Sequence, residues 1–140
     1  MIKLLAVSLA ASASALLPGA APARADYPPG TATVTLFQTT LAARGAAVDV
    51  NFGVTCPAGA TGFTSVTITR THDGLIATGT AIAPLTCLDG GQLMLQRVTA
   101  TIGGAPFTKG NATLTLRVAG CDTVDCFTTS LDQNIKITKF

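Results

Sequence analysis

The residues from Ala47 to Gly59, AVDVNFGVTCPAG, alternate between apolar and polar side chains. The apolar positions of this stretch are Val48, Val50, Phe52, Val54 and Cys56. Successive side chains of a β-strand point to opposite faces of the sheet, so the pattern predicts a strand with one buried face. The Cys-Pro-Ala-Gly that follows ends the strand, because proline cannot donate to a ladder and glycine adopts turn conformations. A sheet of this kind has to pack against a second layer.

Composition favours an all-β protein. The seven acidic residues are all aspartate, the chain has no glutamate or tryptophan, and threonine occurs 23 times after residue 25. Glutamate is typical of helices, whereas threonine is enriched on the solvent-facing positions of strands. Seven strand-like runs follow one another at intervals of about 12 residues with turn residues between them, which predicts an immunoglobulin-like antiparallel β-sandwich of about seven strands.

Residues 1–25 have the features of a secretory signal peptide. A positive start, Met1-Ile2-Lys3, precedes an apolar run from Leu4 to Leu17, and Ala23-Arg24-Ala25 offers a small-x-small cleavage site. The apolar run of about 14 residues is shorter than the roughly 20 residues that cross a bilayer. Cleavage after Ala25 leaves residues 26–140 as one secreted β-sandwich domain with no membrane segment.

Net charge argues against two classes of partner. The full chain has nine Lys and Arg residues against seven Asp residues. Removal of the signal peptide takes away Lys3 and Arg24, which leaves seven against seven. Without a basic excess the domain has no electrostatic footprint for nucleic acid or anionic lipid. We therefore expect no nucleic-acid or membrane partner. We also expect the domain to be a monomer.

Four cysteines in a short exported chain imply two disulfides. Three pairings of Cys56, Cys87, Cys121 and Cys126 are possible. We favour Cys56–Cys87 and Cys121–Cys126, because the last two cysteines flank a four-residue loop that closes easily and the first two are left to each other. A zinc site is disfavoured, since the compartment oxidises thiols and the spacing lacks paired Cys-x-x-Cys motifs.

The clearest turn in the chain is Asp73-Gly74. Asp-Gly between two β-rich runs indicates a hairpin with a two-residue type I′ loop. This register places His72 opposite Leu75, and it turns Leu75, Ala77 and Gly79 toward the core. The small residues Ala77 and Gly79 indicate either close sheet packing or a shallow cavity, and they are candidate ligand-binding positions.

The longest loop is predicted over Gly103–Gly110, GGAPFTKG, with Phe107 at its centre. We expect Phe107 to be exposed, which makes it a third candidate for partner binding. The preceding stretch, Gln92–Ile102, has apolar residues on both parities, so that strand is either partly buried on both faces or bulged.

Residue types that carry catalysis are sparse. His72 is the one histidine of the chain, and the neighbouring Asp73 cannot orient its imidazole as a triad acid does. The aspartates fall nearly all in predicted turns or on outer faces, which does not fit a pair of glycosidase carboxylates. Asp122 and Asp125 lack the alternating oxygen ligands of a calcium loop. We predict a non-enzyme with no catalytic residue, no metal site and no cofactor.

Four features of the chain match a known group of proteins: the stretches VxVxFxVTCPAG, TRTHDG and LTCLDG, and a Cys-x4-Cys pair before the last strand. With these the sequence resembles small secreted actinobacterial β-sandwich proteins of unassigned role. Its size and the Cys121–Cys126 spacing are similar to the neocarzinostatin apoprotein family, and that resemblance implies a carrier with a cleft for a small chromophore. The first disulfide of that family spans a shorter loop than Cys56 to Cys87, so no ligand residue is transferred.

These features predict a secreted, non-enzymatic binding or interaction domain held rigid by two disulfides, with an extracellular protein or a small molecule as its partner. A carrier of an apolar small molecule is the first alternative, and a cavity beside Ala77 and Gly79 would favour it. The TCPAG stretch also resembles the subtilisin-inhibitor family, which implies protease inhibition through the Gly103–Gly110 loop as a further alternative.

Overall fold

A computed structural model describes residues 32–139; the predicted signal peptide, residues 1–25, lies outside that range. Seven strands make up most of the described chain: β1 (Thr33–Ala42), β2 (Ala47–Thr55), β3 (Thr61–His72), β4 (Leu75–Thr86), β5 (Gln92–Thr99), β6 (Gly110–Cys121) and β7 (Cys126–Ile137). A 3-10 turn, Ala43–Gly45, joins β1 to β2. Within residues 32–139 there is no helix with the length and hydropathy that a membrane crossing requires.

The strands form two antiparallel sheets with the orders β1-β2-β5 and β4-β3-β6-β7. The predicted all-β class, the seven strands and the two layers are thereby confirmed. In a constant-type immunoglobulin domain the fourth strand lies beside the fifth. Here β4 pairs with β3 instead, so the immunoglobulin-like assignment stays a prediction.

The alternating stretch that begins at Ala47 is the middle strand of the three-stranded sheet, as its pattern predicted. Val48, Val50 and Phe52 have no exposed surface, and Val54 and Cys56 are also buried. They belong to one core cluster with residues from the inward faces of β3 and β6, among them Ile68, Leu114 and Leu116. Burial of each large apolar side chain stabilises the fold by about 1.5–3 kcal/mol, which makes β2 the main contributor from its sheet.

The hairpin at Asp73-Gly74 has the predicted register, with His72 paired to Leu75. Asp73 and Gly74 have φ values of 50° and 76°, as a type I′ turn requires. The expectation for Leu75 is wrong, because its side chain is 62% exposed. Leu75 directly follows the turn, at the tip of the hairpin.

Strand β5 resolves the double apolar pattern of residues 92–102. Its ladder with β2 is regular, so the strand has no bulge. Met94 and Val98 face the core, whereas Leu93 and Leu95 lie on the outer face of the sheet and are exposed. The apolar residues of the second parity are therefore a surface feature.

The two sheets meet along one side through the first and last strands. Leu41 N donates to Thr138 O at 2.8 Å, and Thr138 N donates to Thr39 O at 3.0 Å. The hydroxyl of Thr39 also donates to Lys136 O at 3.0 Å. The bridge between Thr40 and Thr138 is parallel, in contrast to the antiparallel ladders of both sheets.

On the opposite side, Gln96 of β5 ties its sheet to the four-stranded one. Its Nε2 donates to Ala81 O at 2.9 Å, and its Oε1 accepts a hydrogen bond from the Thr64 hydroxyl at 2.7 Å. Gln96 and Thr64 are both buried. A buried amide is tolerated because its polar atoms have partners.

Both predicted disulfides are present, Cys56–Cys87 and Cys121–Cys126. The first joins residues that directly follow β2 and β4, which belong to different sheets. The second closes the last cross-strand pair of β6 and β7. Cys121 does not share the parity of the buried residues of β6, and its side chain is exposed. The second disulfide therefore lies at the edge of the domain.

Candidate functional site

Ala77 and Gly79 lie on the inward face of β4, and both are buried. A Cβ atom added to Gly79 would overlap the carbonyl oxygen of Thr99. Of the two possibilities that the sequence left open at this position, close packing of the sheets is the one found at Gly79. A glycine here lets the backbones of β4 and β5 approach each other.

Phe107 is buried, with 1% of its surface exposed, so the expectation of an exposed ring is wrong. The loop folds back over the end of the core, and the Phe107 N–H donates to Gly45 O at 2.8 Å. Burial of the large aromatic ring stabilises this position of the loop. The sequence did not indicate the 3-10 turn at Ala43–Gly45. The carbonyl of Gly45 in this turn accepts the hydrogen bond that holds the loop in place.

One small cavity brings part of these predicted positions together. We call it the end cavity; its lining consists of Arg70, His72, Leu75, Ala77, Ala105, Pro106 and Thr108. It lies between the β3–β4 hairpin and the loop that precedes β6. Of the three predicted positions, Ala77 lines the end cavity. Phe107 does not line it, although its neighbours Pro106 and Thr108 do, and Gly79 does not line it either. Its volume of about 80 Å³ is far below that of a site for a drug-sized ligand, roughly 300–1,000 Å³.

Arg70 is the polar residue of the end cavity that sequence reasoning missed. It is 8% exposed and belongs to the inward face of β3 with Val66 and Ile68. Its Nε donates to the Thr108 hydroxyl at 2.7 Å and its Nη1 to Asn111 O at 2.6 Å. A charged residue on the buried parity of a strand is the signal that could have identified it.

His72 and Asp73 form an exposed pair at the tip of the hairpin, with His72 Nε2 3.1 Å from Asp73 Oδ2. In the opposite rim loop, Asp122 Oδ1 accepts hydrogen bonds from the backbone N–H groups of Val124 and Asp125, both at 2.7 Å. That geometry is an Asx turn, which orders the loop between the last two cysteines. Across residues 32–139, no group of three or more His, Cys, Asp or Glu side chains is placed to hold a metal ion.

The largest exposed apolar group of the three-stranded sheet lies on its outer face. We call it the outer patch: Phe37, Leu93 and Leu95, which are 59%, 79% and 66% exposed. Phe37 sits at a bulge in β1 and lies over Gly53, where an added Cβ would be 3.1 Å from the Phe37 ring. Leu93 pairs with Gly53 from the other side, and an open groove of about 400 Å³ lies between Phe37 and Leu93.

The charges beside the outer patch neutralise each other. Arg97 donates two hydrogen bonds to the Asp49 carboxylate, from Nε at 2.7 Å and from a terminal nitrogen at 2.9 Å. The hydrogen bond from Arg97 holds the pKa of Asp49 below its ordinary value, and it outweighs the opposite effect of burial. The outer face of this sheet is therefore apolar at one end and internally paired at the other.

The outer face of the four-stranded sheet has a different character. Its threonines bond to one another across β3 and β4, with Thr67 and Thr80 hydroxyls 2.9 Å apart and those of Thr69 and Thr78 3.1 Å apart. Ile76 and Ile82 are exposed on this face, and Ile82 has the exposed Phe63 as its diagonal neighbour across β3 and β4. A single exposed apolar residue such as Ile76 is ordinary on protein surfaces.

No protein-family model matches the chain, and no curated protein matches it. Among solved structures, it is similar to the solution structure of a protein described as late embryogenesis abundant (LEA), with a TM-score of 0.42 and 12% sequence identity. The match covers 79% of this chain and 73% of that chain. A similarity this low carries no functional argument. The fold itself defines a class: an all-β, two-sheet domain with two disulfides, compatible with an extracellular protein.

Proposed function

We propose that this chain is a secreted, non-enzymatic binding domain that recognises an extracellular protein through the outer patch. The observation that supports this is the convergence of Phe37, Leu93 and Leu95 on one exposed face. Apolar side chains that cluster on a surface mark interaction sites more often than scattered ones do. Two disulfides suit a domain that has to hold such a face rigid outside the cell.

The surroundings of the outer patch define the chemistry of the partner. The residues beside it on β1 and β2 are uncharged, as at Thr35, Gln38 and Asn51, and the nearest charged pair is internally neutralised. The complementary surface is therefore an uncharged protein surface with large apolar side chains. Covering the three exposed residues contributes about 1–2 kcal/mol each before the cost of association, which points to a weak or moderate affinity.

The test compares two matched double variants. Leu93→Ser with Leu95→Ser alters the outer patch, and Ile76→Ser with Ile82→Ser alters exposed apolar residues on the opposite sheet. Both variants and the unchanged protein are used to capture proteins from the medium in which the protein is produced, after a melting curve has shown that each is folded. A protein captured by the unchanged chain and the control variant, but lost with the outer-patch variant, supports the proposal. Equal capture by all three overturns it, and self-association that only the outer-patch variant loses identifies a second copy as the occupant.

The two alternatives have less support from the geometry. A carrier of an apolar molecule has the open groove between Phe37 and Leu93 available, whereas Gly79 is packed against Thr99. Native mass spectrometry of the protein from its own medium tests this reading through a reproducible extra mass. Protease inhibition through Phe107 requires a ring that reaches solvent, and this ring is buried.

A further inference from the structure

Arg70 is a buried cation without a neutralising partner. Its two hydrogen bonds go to neutral acceptors, the Thr108 hydroxyl and the Asn111 carbonyl. Among residues 32–139, neither of the ion pairs involves Arg70: one joins His72 to Asp73, and the other joins Arg97 to Asp49. Removing a guanidinium from water costs several kcal/mol unless an anion compensates it. The position is therefore unusual for a residue with only a structural role.

The surroundings hold the guanidinium of Arg70 in one orientation. Gly110 lies against it so closely that an added Cβ would be 2.7 Å from one terminal nitrogen, Nη2. With Nε and Nη1 each bonded on the loop side, the fork is fixed by contacts on several sides. A planar fork that is ordered in advance recognises a carboxylate at a lower entropic cost than a flexible lysine does.

The end cavity next to Arg70 determines the size and chemistry of an anion that fits. Its volume of about 80 Å³ corresponds to roughly three times the share of one water molecule in liquid water. Apart from Arg70, His72 and Thr108, its walls are the apolar side chains of Leu75, Ala77, Ala105 and Pro106. A phosphate or sulfate would leave several oxygens unpaired against these walls, which is unfavourable.

From these observations we infer that the end cavity binds a small aliphatic monocarboxylate. The carboxylate pairs with the guanidinium of Arg70, and a short carbon chain, as in acetate or propionate, lies against Ala77 and Pro106. This site is separate from the outer patch, and the inference does not depend on the proposed protein partner.

The experiment is a titration of the oxidised, isotope-labelled protein with propionate, followed by amide NMR shifts. We expect saturable shifts at Arg70, Ala77 and Thr108 with a dissociation constant of about 1 mM. Propionamide has the same shape without the charge and should produce no such shifts. Loss of a charged hydrogen bond in Arg70→Gln should raise the dissociation constant about 10- to 100-fold. Arg117→Gln, which removes an exposed arginine on the outer face of β6, should leave it unchanged.

A second variant tests the cavity without changing Arg70, in case Arg70→Gln disturbs the loop that contains Thr108. Ala105→Leu fills the end cavity and leaves the Arg70 side chain in place, and it should abolish the propionate shifts. The inference is overturned by shifts that do not saturate, by an equal response to propionamide, or by unchanged binding in Ala105→Leu. Any of these results would limit Arg70 to holding the Thr108 loop.

Discussion

Phe107→Ala removes the ring that closes one end of the core. The ring is 1% exposed and belongs to the main core cluster, so its deletion leaves a cavity that the surrounding strands cannot fill. Substitutions of buried Phe by Ala cost about 3–5 kcal/mol in other proteins. A domain of this size has a total stability of about 5–15 kcal/mol, so a large part of it is at stake. The midpoint of thermal unfolding should fall by about 12–20 °C.

The assay for Phe107→Ala is equilibrium urea unfolding with both disulfides intact, followed by circular dichroism. The midpoint should fall while the slope stays unchanged, since the surface exposed on unfolding is nearly the same. Phe37→Ala is the matched control, because its ring is 59% exposed, and it should cost no more than about 0.5–1 kcal/mol. Phe107→Leu should give an intermediate loss of about 1–2 kcal/mol. If Phe107→Ala were as stable as Phe37→Ala, the loop would not be packed on the core as described.

Three further perturbations have defined outcomes. Replacing both cysteines of the bridge that holds Cys56 should cost about 4 kcal/mol, against about 2 kcal/mol for the bridge that holds Cys121, because the first closes a longer loop; urea unfolding of the two variants compares them. Gly79→Ala should lower the free energy of unfolding by about 1–3 kcal/mol, since its Cβ meets a backbone carbonyl, and an unchanged melting curve would contradict the packing described. Because Arg97 lowers the pKa of Asp49 from an ordinary value of 3.8, the pair stabilises the fold at neutral pH, and this contribution is lost as the pH falls through the lowered pKa. The stability difference between the unchanged protein and Asp49→Asn should therefore shrink between pH 6 and pH 2, and a constant difference would argue against the pair.

Features that depend on short-range rules could be predicted from the sequence. The alternation from Val48 to Cys56 predicted a buried strand face, because a period of two has one structural meaning in an extended chain. Asp73-Gly74 predicted the full register of its hairpin, because the turn type determines which residues face each other. The pairing of the four cysteines followed from loop length alone. Cys121 and Cys126 flank a short loop that closes easily, and their pairing leaves Cys56 to pair with Cys87.

Features that depend on contacts between distant segments could not be predicted. Phe107 is buried because a carbonyl from the turn at Gly45 holds the loop over the core, and nothing near Phe107 in the sequence indicates that contact. The two parities of β5 look alike in sequence, and only the position of the facing sheet decides that Leu93 lies outside. Arg70 lies on the buried parity of β3, but its partners Thr108 and Asn111 are 38 and 41 residues further along the chain, so the sequence alone does not identify them.

The parallel bridge between the first and last strands determines how the domain responds to tension. Because Thr40 and Thr138 pair in parallel, a force that draws residues 32 and 139 apart acts along the strand axes. The hydrogen bonds among Thr39, Leu41 and Thr138 then bear the load together in shear, whereas in an antiparallel pair they would open one after another. The domain should withstand stretching between its ends better than an antiparallel arrangement of the same two strands would.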